Sequence, residues 1–94
     1  MRRAARVDDN QQQIVEALRA IGTTVRVVTQ GGGLPDLLVG FRGNTILMEV
    51  KDGKKPPSAR VLTPAEQKFF DEWRGGLVVV VNSIEEAIAV LKRF

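Results

Sequence analysis

Neither cysteine nor histidine occurs anywhere in this chain. The first absence removes disulfides and thiolate zinc sites. The second removes imidazole as a general base. Long apolar runs are missing too: nothing approaches the ~20 residues a membrane span needs. The opening Met-Arg-Arg-Ala-Ala-Arg is basic, but no apolar stretch follows it of the kind a secretory signal carries. A chain with these gaps is expected in the cytoplasm, without a membrane partner. Carboxylates, lysine and water are left to do any chemistry, since a lone serine or threonine has no evident base to activate it.

Ninety-four residues suffice for one small domain and leave no room for a second. The 44% hydrophobic and 27% charged residues are ordinary for a soluble globule. The net charge of +3 is compatible with a nucleic-acid partner without requiring one. Its distribution says more. Arg2, Arg3 and Arg6 cluster in residues 1–7, which read as a flexible basic arm. Lys51, Lys54, Lys55 and Arg60 form a second cluster, suited to phosphate contact.

Periodicity gives the order α-β-β-β-α-β-α. Asp8 or Asp9 is placed to cap a helix over about Asn10–Ala20, which Gly22 ends. The β-branched stretch Thr23–Thr29 predicts a strand. Three consecutive glycines, Gly31, Gly32 and Gly33, then lead through Leu34-Pro35 to a second strand, Asp36–Phe41, and a third, Thr45–Lys51. Bare backbone at those glycines would let a nucleic-acid strand come close. Lys54–Leu62 reads as a polar loop. Thr63, Pro64 and Glu66 spell a capping box with proline at the first helical position, opening a helix that runs through Trp73 to Gly75-Gly76. Phe69, Phe70 and Trp73 are expected in the core, with Phe70 or Trp73 also suited to a subunit contact. The unbroken apolar run Leu77–Val81 predicts a buried strand, and Ser83 caps a last helix whose inner face carries Ile84, Ala87, Ile88 and Leu91. A helix between the third and fourth strands is a crossover, so a mixed sheet follows.

The short turn between the second and third strands decides where the charges fall. A two-residue loop of Arg42-Gly43 sets Asp36 opposite Glu49. A loop of Gly43-Asn44 sets Asp36 opposite Lys51, beside Glu49. A three-residue loop sets Asp36 opposite Val50, on the other face. A two-residue turn is expected. Asp36, Glu49 and Lys51 then gather at the edge of an apolar core, where isolated ions are costly and a hard cation offsets the cost. Magnesium accepts one or two carboxylates, water and phosphate oxygens. Asp36 and Glu49, with the Val50 carbonyl as a further ligand, are candidate holders of Mg²⁺ or Mn²⁺. Lys51 is the candidate for orienting water or steadying charge on phosphorus. Glu-x-Lys alone is common on exposed strands, and an ordinary surface pair is the competing reading.

Gly33-Leu34-Pro35-Asp36 followed by Glu49-Val50-Lys51 resembles the PD-(D/E)XK nucleases. More closely, the chain resembles the stand-alone VRR-NUC domains of phage and bacterial type. That closer likeness adds Asp8-Asp9-Asn10-Gln11, Lys54-Lys55-Pro56-Pro57-Ser58 and Leu62-Thr63-Pro64-Ala65-Glu66-Gln67, and extends from about Arg6 to about Leu91. The resemblance implies a restriction-endonuclease-like α/β core, a mixed four-stranded sheet flanked by helices. It implies a metal-dependent DNA endonuclease leaving 5′-phosphate and 3′-hydroxyl ends, with Gln67 facing the site and Lys54, Lys55, Ser58 and Arg60 near DNA. It also implies a metal-assisting acidic residue on the first helix. Asn10 and Gln11 stand near that position here and Glu16 is the nearby acid, which leaves one metal or two open. Stand-alone relatives are linked to Holliday junctions, and a two-fold homodimer suits a four-way substrate. The alternatives are a flap, nicking or restriction-like nuclease, or a non-catalytic DNA-binding module that keeps the fold.

Overall fold

A computed structural model of the protein describes residues 9–94; the basic arm and the Asp8 cap lie outside them. The elements are α1 (Asp9–Ala20), β1 (Thr24–Val27), β2 (Leu37–Phe41), β3 (Asn44–Val50), α2 (Pro64–Glu72), β4 (Leu77–Val81) and α3 (Ile84–Leu91). This is the expected α/β order. Gly22 closes α1 at φ 92°, with its own amide bonded to the Arg19 carbonyl and the Thr23 amide to the Leu18 carbonyl. That pair of bonds satisfies two carbonyls the helix end would otherwise leave open.

The sheet order is β1-β2-β3-β4. The first three strands are antiparallel and β4 runs parallel to β3, as its helical crossover requires. The hairpin pairs Phe41 with Asn44, so its loop is Arg42-Gly43. Both loop residues are left-handed, φ 52° and 81°, as a type I′ turn demands.

Alternation sorts the side chains onto two faces. Leu37, Val39, Ile46, Met48, Val50 and Val81 join Ile14, Val15 and Leu18 of α1 and Ala87 and Leu91 of α3 in one buried cluster. Fully burying an aliphatic side chain contributes roughly 1.5–3 kcal/mol, so this face carries the stability of the domain. Leu38, Leu47 and Glu49 point the other way. Leu47 is buried while Leu38 is 42% exposed, so cover on that second face is incomplete.

Two expectations need correction. Leu77–Val80 are half-buried rather than buried, because β4 is an edge strand; only Val81 is enclosed. Phe69, Phe70 and Trp73 do not enter the core. They are half-buried, with Phe69 and Trp73 stacked at 5.3 Å and the Trp73 indole donating to the Gly76 carbonyl. The loop expected after β3 also contains a 3₁₀ turn at Pro57–Ala59.

Candidate active site

The I′ turn fixes the register, and the register builds the site. Leu37 pairs with Met48, so the next pair along sets Asp36 opposite Glu49, on the face away from α1 and α3. Asp36 locks the strand ends together. Its carbonyl accepts from the Val28 amide at 2.7 Å, and its Oδ2 accepts from the Val50 amide at 2.8 Å. The side chain thus stands in for a ladder carbonyl where β2 begins, and Oδ1 takes no part in that bond. Lys51, two residues beyond Glu49, shares its face. The Lys51 amide is held by the Val81 carbonyl at 3.0 Å.

Glu49 is the anomaly. It is 3% exposed, and its Oε1 is buried with no hydrogen-bond partner among the described residues. Oε2 lies 3.6 Å from Lys51 Nζ. Burial, with the nearby Asp36 charge second, pushes the Glu49 carboxyl up to about 8. A neutral Glu49 has a proton to donate to Asp36 or to Glu66. An ionised one has a bare oxygen and no partner for it.

Lys51 has its closest anion elsewhere. Nζ lies 2.9 Å from Glu66 Oε1, in the first turn of α2. Burial alone would lower the lysine, but the hydrogen bond and charge of Glu66, joined by Glu49, outweigh it and leave Lys51 above its ordinary value. Burial alone would raise Glu66. The bonds from Lys51 and the Thr63 amide prevail and hold it below its ordinary value. The expected capping box is present: Thr63 Oγ1 accepts from the Glu66 amide and Glu66 Oε1 from the Thr63 amide. Glu66 therefore belongs to the site as well as to the cap, which the sequence reading missed. No sequence signal marks the second contact, since a box glutamate normally turns back only on its own cap.

Gln67, expected to face the site, lies on the exposed side of α2, where its Nε2 donates to Asp71 Oδ1 at 2.9 Å. Asn10 reaches the site indirectly: its Nδ2 donates to the Lys51 carbonyl at 2.8 Å and to the Asn82 carbonyl at 3.2 Å. Gln11 is half-buried beside it. Glu16 is exposed, bonded to Gln12, and roughly 9 Å farther along the helix than Asn10 at 1.5 Å per residue. Gly31, Gly32 and Gly33 are all left-handed. At the first two a Cβ would meet open space, whereas at Gly33 it would fall 2.3 Å from the Ala65 carbonyl oxygen, so this glycine seats the loop leading to Asp36 on α2. Lys54, Lys55 and Ser58 are exposed. Arg60 is half-buried, and lines a cleft of about 250 Å³ with Asn10, Asp52, Lys54, Asn82 and Glu86.

The sequence matches no family model, and a search of curated proteins also returns no match. Structure does better. The chain superposes on a solved VRR_NUC domain with a TM-score of 0.64 and 30% sequence identity, over 92% of this chain and 94% of the other. The chain belongs to the VRR-NUC family. It is a nuclease-domain protein, with the nuclease-like α/β core that the resemblance implied and the element order expected from the sequence. Among the described residues of this VRR-NUC chain, no helix is long and apolar enough to cross a membrane.

The donor set can be tested for a cation. Among the described residues no three histidine, cysteine, aspartate or glutamate side chains group into a ready-made metal cage. Magnesium does not require one, since it commonly takes one or two carboxylates and fills its octahedron with water and phosphate oxygens. Glu49, buried with an unpartnered Oε1 and set opposite Asp36 by the register, fits that mode.

Proposed function

We propose that this protein is a divalent-metal-dependent DNA endonuclease that hydrolyses phosphodiester bonds at branched DNA, with four-way junctions as the first substrate class and a two-fold homodimer as the acting form. The observation that carries the reading is Glu49 itself, buried with one unpartnered oxygen, opposite Asp36 in the register and with its other oxygen 3.6 Å from Lys51 Nζ. An isolated buried carboxylate is costly unless a cation or proton accompanies it.

Asp36 and Glu49 would hold Mg²⁺ or Mn²⁺, with the Val50 carbonyl as the candidate third protein ligand. Such an ion, when bound, supplies Lewis-acid polarisation of a phosphoryl oxygen and a more acidic water. The remaining work belongs to the chain. The Val50 amide fixes the Asp36 carboxylate. Burial keeps Glu49 away from bulk water. Lys51 offers its ammonium next to Glu49, where it can orient a water or offset charge building on phosphorus. Gly31, Gly32, Lys54, Lys55, Ser58 and Arg60 are the groups proposed to meet the DNA backbone. Family resemblance supports the branched substrate, the homodimer and the 5′-phosphate product.

Four-way junctions, flaps and plain duplex of matched sequence, incubated side by side with Mg²⁺ or with chelator, test the proposal. Junction cleavage that requires metal and is lost in Asp36→Asn is expected, by protein whose solution mass is that of two chains. Preferential cutting of flaps or duplex would replace the substrate. Binding without cleavage under every metal condition would make the domain a binding module.

A further inference from the structure

We propose that Glu66 is a positioning residue for Lys51: the N3 glutamate of the α2 capping box holds the lysine ammonium beside Glu49 rather than on it. Lys51 Nζ sits 2.9 Å from Glu66 Oε1 but 3.6 Å from Glu49 Oε2. The first is a charge-assisted hydrogen bond, whereas the second lies beyond hydrogen-bond distance.

Glu66 itself is well anchored. The same Oε1 accepts from the Thr63 amide at 2.9 Å, and the Thr63 hydroxyl accepts from the Glu66 amide. The turn carrying it is seated against the loop that delivers Asp36, because Gly33 leaves only enough room for the Ala65 carbonyl. Helix start, lysine and aspartate loop are therefore tied at one point. One consequence concerns Glu49. With Lys51 drawn to Glu66, Glu49 Oε2 stays 3.6 Å from the ammonium, beyond hydrogen-bond distance. Without Glu66 the ammonium would need to move well under 1 Å to reach hydrogen-bond distance of Glu49, and the catalytic amine and the acid would then satisfy each other. The lysine's task depends on the nuclease reading; the contact does not.

Two variants separate this role from simple helix capping. Glutamine also serves at N3 of a capping box, so Glu66→Gln keeps the cap but removes the charge that holds Lys51. Thr63→Ala weakens the cap and leaves the Glu66–Lys51 pair. The expected result is that Glu66→Gln lowers kcat on junction DNA about tenfold or more, with KM little changed, while Thr63→Ala lowers thermal stability and keeps kcat within about threefold. A second measurement needs no activity. In metal-free protein labelled at lysine nitrogens, the Lys51 ammonium resonance should be protected in the wild type and in Thr63→Ala, and exchange-broadened in Glu66→Gln. Equal kcat for Glu66→Gln and wild type, or a Lys51 resonance unchanged by Glu66→Gln, would overturn the assignment. A wild type that cuts no DNA would defeat the nuclease reading instead, and the resonance would still decide the role of Glu66.

Discussion

Replacing Glu49 by glutamine should stabilise the metal-free protein at high pH and do almost nothing at low pH. Glutamine keeps the shape of the side chain and removes its charge. In the wild type the folded-state value is about 8 against an ordinary 4.5, so the native chain binds more protons than the unfolded chain between those limits. Stability from this group is fully present below about pH 4.5 and is lost as pH rises through about 8. The loss follows a slope of up to ~1.4 kcal/mol per pH unit, because one proton is involved. Across the gap from 4.5 to about 8 this sets a ceiling of roughly 5 kcal/mol. Glu49→Gln at pH 9 should therefore be more stable than the wild type by an amount of the order of a few kcal/mol, below that ceiling. Urea unfolding in chelator, at one-unit steps from pH 5 to pH 9, reads it directly. The wild type should lose stability along the series while the variant stays nearly flat. Magnesium at pH 8 should then raise the wild type and leave Glu49→Gln unmoved, since a ligand that binds only the native state stabilises by mass action. A difference between the two proteins that does not change with pH would refute the reasoning. It would mean that Glu49 is ionised and well solvated in the fold.

Two further outcomes follow from the same geometry. Gly33→Ala should cost about 2 kcal/mol or more by chemical denaturation, since it adds a backbone clash with Ala65 to the strain of a left-handed alanine; Gly31→Ala, which has open space, should cost only about 1 kcal/mol. Asn10→Ala leaves the Lys51 and Asn82 carbonyls without their shared donor and should cost about 1–2 kcal/mol in the same assay, with a lower cleavage rate from a loosened β3 end.

Much of this fold was legible because its local signals agree. Gly22, the Thr63-Pro64-Ala65-Glu66 box and Ser83 each place a helix end, and the structure puts caps at all three. The hairpin was legible only in part. Gly43 marks a turn, but Arg42 is an unusual residue for φ 52°, a position where Asn, Asp or Gly are the common choices. Sequence alone therefore could not separate Arg42-Gly43 from Gly43-Asn44, and with it Asp36 facing Glu49 from Asp36 facing Lys51. Edge position was illegible as well. Leu77–Val81 has the composition of an interior strand, and only the sheet order shows that one side of it has no neighbouring strand among the described residues. On α2 the hundred degrees that separate consecutive helical positions turned Glu66 to Lys51 and Gln67 to Asp71. Which of two adjacent polar residues faces a site depends on how the helix is seated, and that is set by a tertiary contact at Gly33.

The placement of the acidic pair follows from the demands on the two faces of the sheet. One face must take α1 and α3 to build a core large enough for a small domain, so Leu37, Val39, Ile46, Met48 and Val50 are committed to packing. Chemistry is confined to the opposite phase, and there only at the strand end, because Leu47 in the middle is covered. Asp36 and Glu49 occupy that end because the turn at Arg42-Gly43, about 20 Å away at ~3.4 Å per residue, holds the register. The turn, which touches nothing in the site, is therefore as necessary to it as the carboxylates. A slip of one residue there would carry Asp36 to the core face and leave Glu49 buried with neither a facing acid nor a route to a shared cation.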